Sequence, residues 1–390
     1  MTEKRVAVII NSLVGGGAER VLSVLLHRIA EWQADGGGPA ALNGVKLHLV
    51  LLDRVDEKYE TPEAIPRTNL DCGEGMLTSV LRLWRCLRRL KPSLTVSFLT
   101  RANCASIIAA RSQGFPCVVS ERVHTTHHLG SGARAQVLRR MVRLLYPRAD
   151  CVIAVADGVR ADLVDNYGVH ADRVAVIPNP YDIDGIRQRA QAEPEWRPPG
   201  GRPYLLAVGR LTAAKNFPML IRAFAAAQLD CDLAILGEGE ERDALHALAA
   251  SLGVSGRVHL PGFARNPYPI FARSAGFVLS SNVEGFPNAL AEAMVLGCRV
   301  VATDCPSGPS ELLGAHARQG AGVVRTGRGL LVPVDDADAM RSALEQLVMR
   351  EDAADIGAAA ARRMEDFRVD SIAAHYIEVI ERACREAGRR

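Results

Sequence analysis

Short runs of β-branched and other apolar residues alternate with amphipathic stretches along almost the whole chain. No other feature restricts the fold so strongly. In the first half the runs are RVAVII (5–10), VKLHLVLL (45–52), LTVSFL (94–99), CVVS (117–120), CVIAVA (151–156) and VAVI (174–177). Stretches of helical period lie between them, at 18–32, 77–91, 102–112, 133–146 and 157–167. The second half repeats the alternation with YLLAVG (204–209), DLAILG (232–237), RVHLPG (257–262), GFVLS (276–280) and RVVAT (299–303). A strand that is apolar along its length is buried on both faces, which calls for a parallel sheet with helical crossovers above and below it. Two such series predict an α/β protein of two Rossmann-like domains.

Residues 178–203 carry six prolines, with glycines at 185, 200 and 201, and no apolar period. This predicts a linker over 181–203, between an N-terminal domain (1–180) and a C-terminal domain (204–367). ADGGGPAALNG (34–44) reads as a surface loop, and SIAAHYIEVIERACREA (371–387) as a long helix after the second sheet is complete. Ligands of open α/β sheets bind beyond the carboxyl ends of the strands, so two facing sheets are expected to hold theirs in the cleft between them.

Composition removes other classes. With 390 residues, 48% hydrophobic and 23% charged, the chain can bury sizeable cores, which excludes disordered, collagenous and mini-protein scaffolds. No apolar run approaches the about 18 residues of a spanning helix. MTEKRVAVIINS enters a strand-like run at once, which leaves no room for a signal peptide. Nine scattered cysteines without a C-x-x-C pair fit reduced, buried thiols and a cytoplasmic protein better than a disulfide framework or a zinc site.

The net charge is only +3, but it is unevenly spread. Between Gly75 and Arg148 there are thirteen Lys or Arg and a single acid, Glu121, a local excess of +12. In LTSVLRLWRCLRRLK (77–91), Leu77, Leu81, Trp84, Leu87 and Leu90 recur every three or four residues, with Arg82, Arg85, Arg88 and Arg89 in the gaps. ARAQVLRRMVRLLYPR (133–148) adds Arg139 and Arg140. Such helices can pack their apolar side on a core and leave the charges solvated, or lie on an anionic bilayer. No aromatic platform accompanies the charge, so nucleic acid is not the expected partner.

Three segments could carry chemistry. After the first strand, Gly15, Gly16 and Gly17 open a helix, where backbone can approach a ligand and helix amides are free, although glycine turns also serve packing. After the strand at 204–209, Gly209, Arg210 and Lys215 put two cations beside a helix start, which suits a diphosphate or a solvated surface. The third segment runs from Ser280 to Gly297. Glu284 follows a strand, Pro287 fits a first helical turn, and Glu292 falls inside the helix among Leu290, Ala291, Ala293 and Met294. A carboxylate there needs a partner or a ligand. Asp182-Ile-Asp184 and Asp336-Ala-Asp338 are D-x-D strings at the linker and at a helix start, and are read as capping rather than metal-binding.

E-G-F-P-N-A-L-A-E-A-M-x-x-G (284–297), with A-T-D-C-P-S-G-P-S-E (302–311) behind it, resembles the E-x7-E signature of glycosyltransferase family 4. G-G-A-E-R (16–20), I-P-N-P (177–180), G-R-L-x-x-x-K (209–215), L-G-E-G (236–239) and L-P-G-F (260–263) extend the resemblance along most of the chain. It implies the two-Rossmann GT-B fold and a retaining, hexosyl-transferring, metal-independent enzyme without a cofactor, whose nucleotide-sugar, expected to be UDP-linked, is a co-substrate. By resemblance, Glu284 binds the donor sugar's hydroxyls, Glu292 the ribose, and Arg210 and Lys215 the diphosphate. Gly16, Gly17 and the backbone of Gly209 and of Gly285, Phe286, Pro287, Asn288 and Ala289 help hold sugar and phosphates. Gly237, Glu238, Gly262 and Phe263 line the base pocket. A histidine after a first-domain strand is also implied: His124, with His127 and His128 near enough to confuse the assignment, and Glu121 or Arg122 on the acceptor. The expected acceptor is a glycan or a polyprenyl-diphosphate-linked precursor of surface polysaccharide, on the inner face of the membrane. The basic segment would then meet that anionic surface and the acceptor's diphosphate, and the C-terminal helix (368–390) would pack back on the first domain. A nucleotide-sugar epimerase and a non-catalytic sugar-nucleotide-binding protein are the alternatives.

Overall fold

The computed structural model describes residues 4–128, 130, 132–317, 320–349 and 353–387. The chain divides into two compact units, Met1–Tyr181 with Phe367–Arg390, and Asp182–Asp366.

The first unit is built on strands β1 (Lys4–Ile10), β2 (Val45–Leu51), β3 (Arg67–Asn69), β4 (Leu94–Phe98), β5 (Cys117–Glu121), β6 (Cys151–Ala154) and β7 (Val174–Val176). They lie in the order β3-β2-β1-β4-β5-β6-β7 and all pair in parallel. Chain order therefore reverses between β1 and β4, the switch point at which such sheets bind ligands. Helices Gly17–Asp35 and Val369–Ala387 pack on each other. From the latter, Ile372, Ala373, Tyr376, Ile377 and Ile380 repeat at helical spacing and enter the core formed by Val8, Ile10, Val96 and Phe98.

The second unit contains β8 (Tyr204–Val208), β9 (Asp232–Leu236), β10 (Val258–Gly262), β11 (Gly276–Leu279), β12 (Val300–Thr303), β13 (Val324–Arg325) and β14 (Leu330–Val332). The order is β10-β9-β8-β11-β12-β14-β13, parallel except for the terminal β13–β14 pair. Its switch point lies between β8 and β11. Leu205, Leu233, Ile235, Val278 and Val301 pack under Phe217, Leu220, Phe224, Met340 and Leu344 from the covering helices.

Two expectations are corrected. The segment 181–203, expected to be a linker, contains helix Ile183–Arg189, whose Ile183 and Ile186 are buried in the second unit. In helix Met76–Leu90 the buried side carries Ser79, Leu83 and Leu87, while Leu77 and Leu81 are 80% and 56% exposed. Leucines at 77, 81, 83, 87 and 90 form two stripes about a quarter-turn or more apart, and only packing on Thr100–Arg111 selects one. The D-x-D strings do begin helices. Asp182 is an N-cap, accepting from the Gly185 amide at 3.0 Å, and Asp336 accepts likewise from Ala339 at 2.9 Å. Among the described residues no helix is long and apolar enough to cross a membrane.

Candidate active site

In the second unit, the loops leaving neighbouring strands β8 and β11 are stitched together. The Asn282 amide donates to Ala214 O at 2.9 Å, Ser280 Oγ to Lys215 O at 2.7 Å, and Asn216 Nδ2 to Asn282 Oδ1 at 2.9 Å. Asn216 also caps helix Phe217–Ala227, with Pro218 in its first turn. This brings Lys215, on the single turn Ala213–Lys215, against Glu284 in the β11 exit loop. Lys215 Nζ lies 2.5 Å from Glu284 Oε1, with the side chains 23% and 11% exposed. Ser281 Oγ donates to the same oxygen at 2.6 Å, and Ser307 Oγ holds the Glu284 carbonyl at 2.6 Å. The carboxylate is thus aimed and partly desolvated, which strengthens its pairing. Ser281 and Ser307 carry no signal in sequence beyond their place within S-S-N-V-E and P-S-G-P.

Pro287 precedes helix Asn288–Val295, and the Asn288 amide donates to Phe286 O at 3.0 Å. Phe286 is buried, Gly285 and Ala289 half-buried at the helix mouth. Gly308, at φ +97°, lies so close beneath Pro287 that a Cβ would fall 2.3 Å from its Cδ. Glu292 is buried, with the Tyr268 hydroxyl 3.3 Å from Oε1. The β9 exit approaches equally closely. Gly237 has φ +138°, a Cβ there would fall 1.9 Å from Gly209 O, and its amide donates to Gly262 O at 2.9 Å. Around this contact stand exposed Arg210, exposed Glu238 with Arg242 at 3.4 Å, and Phe263, 75% exposed after β10. Cations, a helix mouth and two acids therefore collect at the carboxyl edge of one sheet.

In the first unit, Gly16 caps helix Gly17–Asp35 without a side-chain bond, beside Gly15 at φ +129°. Glu121 ends β5 fully buried, and burial pushes its carboxyl up to about 7 despite bonds from the Tyr146 hydroxyl at 2.5 Å and the Arg122 amide at 3.1 Å. Asn103 Nδ2 reaches Tyr146 Oη at 3.0 Å and Ser120 O at 2.9 Å. Beyond β4, Arg101 pairs with Asp53 and reaches Ser79 Oγ at 3.2 Å. His124 is buried, and burial pushes its imidazole below the ordinary range although Asp162 Oδ2, 3.4 Å from Nδ1, pulls the other way. The exposed ring of His127 stands edge-on to it at 4.6 Å, and His128 is exposed as well.

Arg122, expected at the acceptor or membrane, is instead buried, with its guanidinium on Asn179 and, at 2.8 Å, on the Tyr376 hydroxyl. It ties the I-P-N-P segment to the C-terminal helix. Arg139 is half-buried and donates to Thr126 O at 2.8 Å, while Arg82, Arg85, Arg88, Arg89 and Arg140 are exposed.

The family model "Glycosyltransferase Family 4" matches residues 16–184, and "Glycosyl transferases group 1" matches 188–364. The chain is 30% identical to the N-acetylgalactosamine-N,N'-diacetylbacillosaminyl-diphospho-undecaprenol 4-alpha-N-acetylgalactosaminyltransferase of Campylobacter jejuni, over 88% of this chain and 90% of that one. A second Campylobacter jejuni enzyme, a GalNAc-alpha-(1->4)-GalNAc-alpha-(1->3)-diNAcBac-PP-undecaprenol alpha-1,4-N-acetyl-D-galactosaminyltransferase, is 24% identical over 96% and 98%. Among solved structures, Anabaena HepE in complex with UDP has a TM-score of 0.72 at 21% identity, covering 96% of this chain and 99% of that one. With a family model on each half and a relative shared along nearly the whole length, the chain belongs to the group 1, family 4 glycosyltransferases and has their two-domain α/β fold.

Proposed function

We propose that the enzyme transfers a hexosyl residue, with retention, from a UDP-sugar to a polyprenyl-diphosphate-linked glycan, working peripherally on the inner face of the membrane. The Lys215–Glu284 pair at the switch point of the second sheet carries this reading. In the proposed cycle an incoming diphosphate draws Lys215 from the carboxylate, and Lys215 with Arg210 neutralises the charge that grows as the sugar–phosphate bond breaks. Glu284, released from the ammonium but still held by Ser281, takes the donor's sugar hydroxyls. Glu292, backed by Tyr268, takes the ribose, while the Gly237–Gly262 contact and Phe263 bound the base. Gly16 and Gly17 are assigned to the donor's sugar and phosphates, His124 to the reacting centre, and the Glu121 network to the acceptor.

In this reading the chain's own cations, Lys215 and Arg210, supply the positive charge without a metal. The relatives that act on undecaprenyl-diphosphate glycans, and the UDP in HepE, support the donor and acceptor classes. Release of UDP from a panel of UDP- and GDP-sugars, with and without lipid-diphosphate acceptor and EDTA, tests the reading, and NMR of the product's anomeric proton tests retention. Acceptor-dependent release that survives EDTA is expected. Release only from GDP-sugars, release without acceptor, or loss in EDTA would each overturn the corresponding part.

A further inference from the structure

In the first unit, the segments that follow the neighbouring strands β5 and β6 meet around a carboxylate that the proposed reaction leaves unused. Asp162, on helix Asp157–Tyr167, has a side chain with no exposed surface. Its Oδ1 accepts from Thr126 Oγ1 at 2.5 Å and Asn166 Nδ2 at 2.9 Å, and its Oδ2 from the Thr126 amide at 3.0 Å. All three donors are neutral, and among the described residues no lysine or arginine pairs with it. A buried charge held by neutral donors alone is costly, and its remaining side faces a group able to offer a proton.

That group is His124. Its Nδ1 is buried, has no hydrogen-bond partner, and lies 3.4 Å from Asp162 Oδ2. A carboxylate only accepts, so a neutral ring beside it keeps its proton on Nδ1. Contacts of this kind are often long in a free enzyme and tighten around substrate. Nε2 then carries the lone pair, and it makes no hydrogen bond among the described residues. The Thr126 bonds would suffice to pin the short helix Thr125–His128; the approach of Nδ1 gives the carboxylate a second task. Other groups that face this loop are the exposed His127 ring, edge-on at 4.6 Å, and Tyr167, whose hydroxyl lies 3.3 Å from Thr126 Oγ1. Arg139 holds the Thr126 carbonyl, and Glu121 ends β5. Burial pushes the His124 imidazole towards its neutral form, Asp162 pulls it back, and His127 adds to the effect of burial.

We propose that Asp162 is a positioning residue for the transfer: it keeps the His124 proton on Nδ1, so that Nε2 presents its lone pair to a hydroxyl of a bound sugar. This rests on the placement of His124 at the reacting centre, and adds the group that decides which ring nitrogen meets the substrate.

The test reads tautomer and turnover separately on the full-length protein. Nitrogen chemical shifts of isotope-labelled histidine, with His124 assigned by its loss in His124→Gln, should place the proton on Nδ1 in the parent. Asp162→Asn, whose amide can donate to Nδ1, should move it to Nε2 or mix the two forms. With the UDP-sugars and lipid-diphosphate acceptor of the panel above, kcat/KM of Asp162→Asn should fall about 10- to 100-fold. The acid limb of its pH profile should move to lower pH, because Asp162 is the neighbour that favours the imidazolium. Thr126→Val loosens the same loop but spares the Asp162–His124 pair, so it should leave tautomer and limb in place. Glu121→Gln and His127→Gln remove the other titrating side chains nearby, and the limb should survive both. A rise confined to the donor's KM assigns the hydroxyl to the donor sugar, and one confined to the acceptor's KM assigns it to the acceptor. A parent proton on Nε2 refutes the proposal even if Asp162→Asn does not fold, and so does an Asp162→Asn protein with unchanged tautomer and limb. If His124→Gln keeps full kcat/KM, the placement of His124 at the reacting centre fails and the substrate contact with it, whereas the tautomer and its dependence on Asp162 would stand.

Discussion

Replacing Glu121 by glutamine should change how stability depends on pH far more than it changes stability itself. The Glu121 carboxyl is fully buried and pushed from 4.5 to about 7, with burial the largest cause and the bonds from Tyr146 and the Arg122 and Val123 amides opposing it. A folded-state value raised above the unfolded one means that the native protein binds this proton more tightly. The resulting stability is full below the unfolded value and disappears as pH rises through about 7. At about 1.36 kcal/mol per pH unit the whole effect is about 3.4 kcal/mol, of which about 2.5 kcal/mol falls between about pH 5 and about pH 8. A glutamine side chain at this position is neutral throughout and can still accept from the Arg122 amide. The assay is urea unfolding of parent and Glu121→Gln across this range, read by hydrogen exchange in the β4 and β5 segments so that only the first unit reports. The stability difference, parent minus variant, should fall by about 2.5 kcal/mol from acid to base. A difference flat to within about 0.5 kcal/mol would show that Glu121 stays ionised when folded, and would refute the argument from burial.

Lys215→Ala should cost about 10²- to 10³-fold in kcat for UDP release, as leaving-group stabilisation is lost. It should also cost about 1–2 kcal/mol in the second unit, because Glu284 keeps only Ser281 while 11% exposed; a change in KM alone would assign Lys215 to ground-state binding. Gly237→Ala forces a Cβ to within 1.9 Å of Gly209 O at φ +138° and should destabilise the second unit by about 3 kcal/mol or more, removing UDP-dependent thermal stabilisation. Arg122→Ala removes the guanidinium bonds to Asn179 and to the Tyr376 hydroxyl, should cost about 2–4 kcal/mol, and should accelerate hydrogen exchange in Val369–Ala387 specifically. Uniform acceleration through the first unit would show that Arg122 does not pin that helix.

The sequence alone determined what is local or periodic. Apolar runs such as RVAVII and DLAIL announce double-sided burial, and β1, β2, β4 to β12 stand where the apolar runs stand. β3, β13 and β14 escaped because RTN, VR and LLV are too short to display a period, and the edge strands β3 and β13 need no apolar face on both sides. Glu284 and Glu292 were legible because one loop and one helix hold both. Their partners were not. Lys215 reaches Glu284 across 69 residues of sequence, because β8 and β11 are neighbours only through the crossover order of the sheet. Arg122 resembled a surface cation until the fold brought up Asn179, 57 residues away, and Tyr376, 254 away. In helix Met76–Leu90 the pattern offered two apolar stripes, and packing buried one and left the other outside. Burial and pairing are properties of surfaces that meet, and which surfaces meet is decided by topology, whereas the propensity to form each surface is written residue by residue.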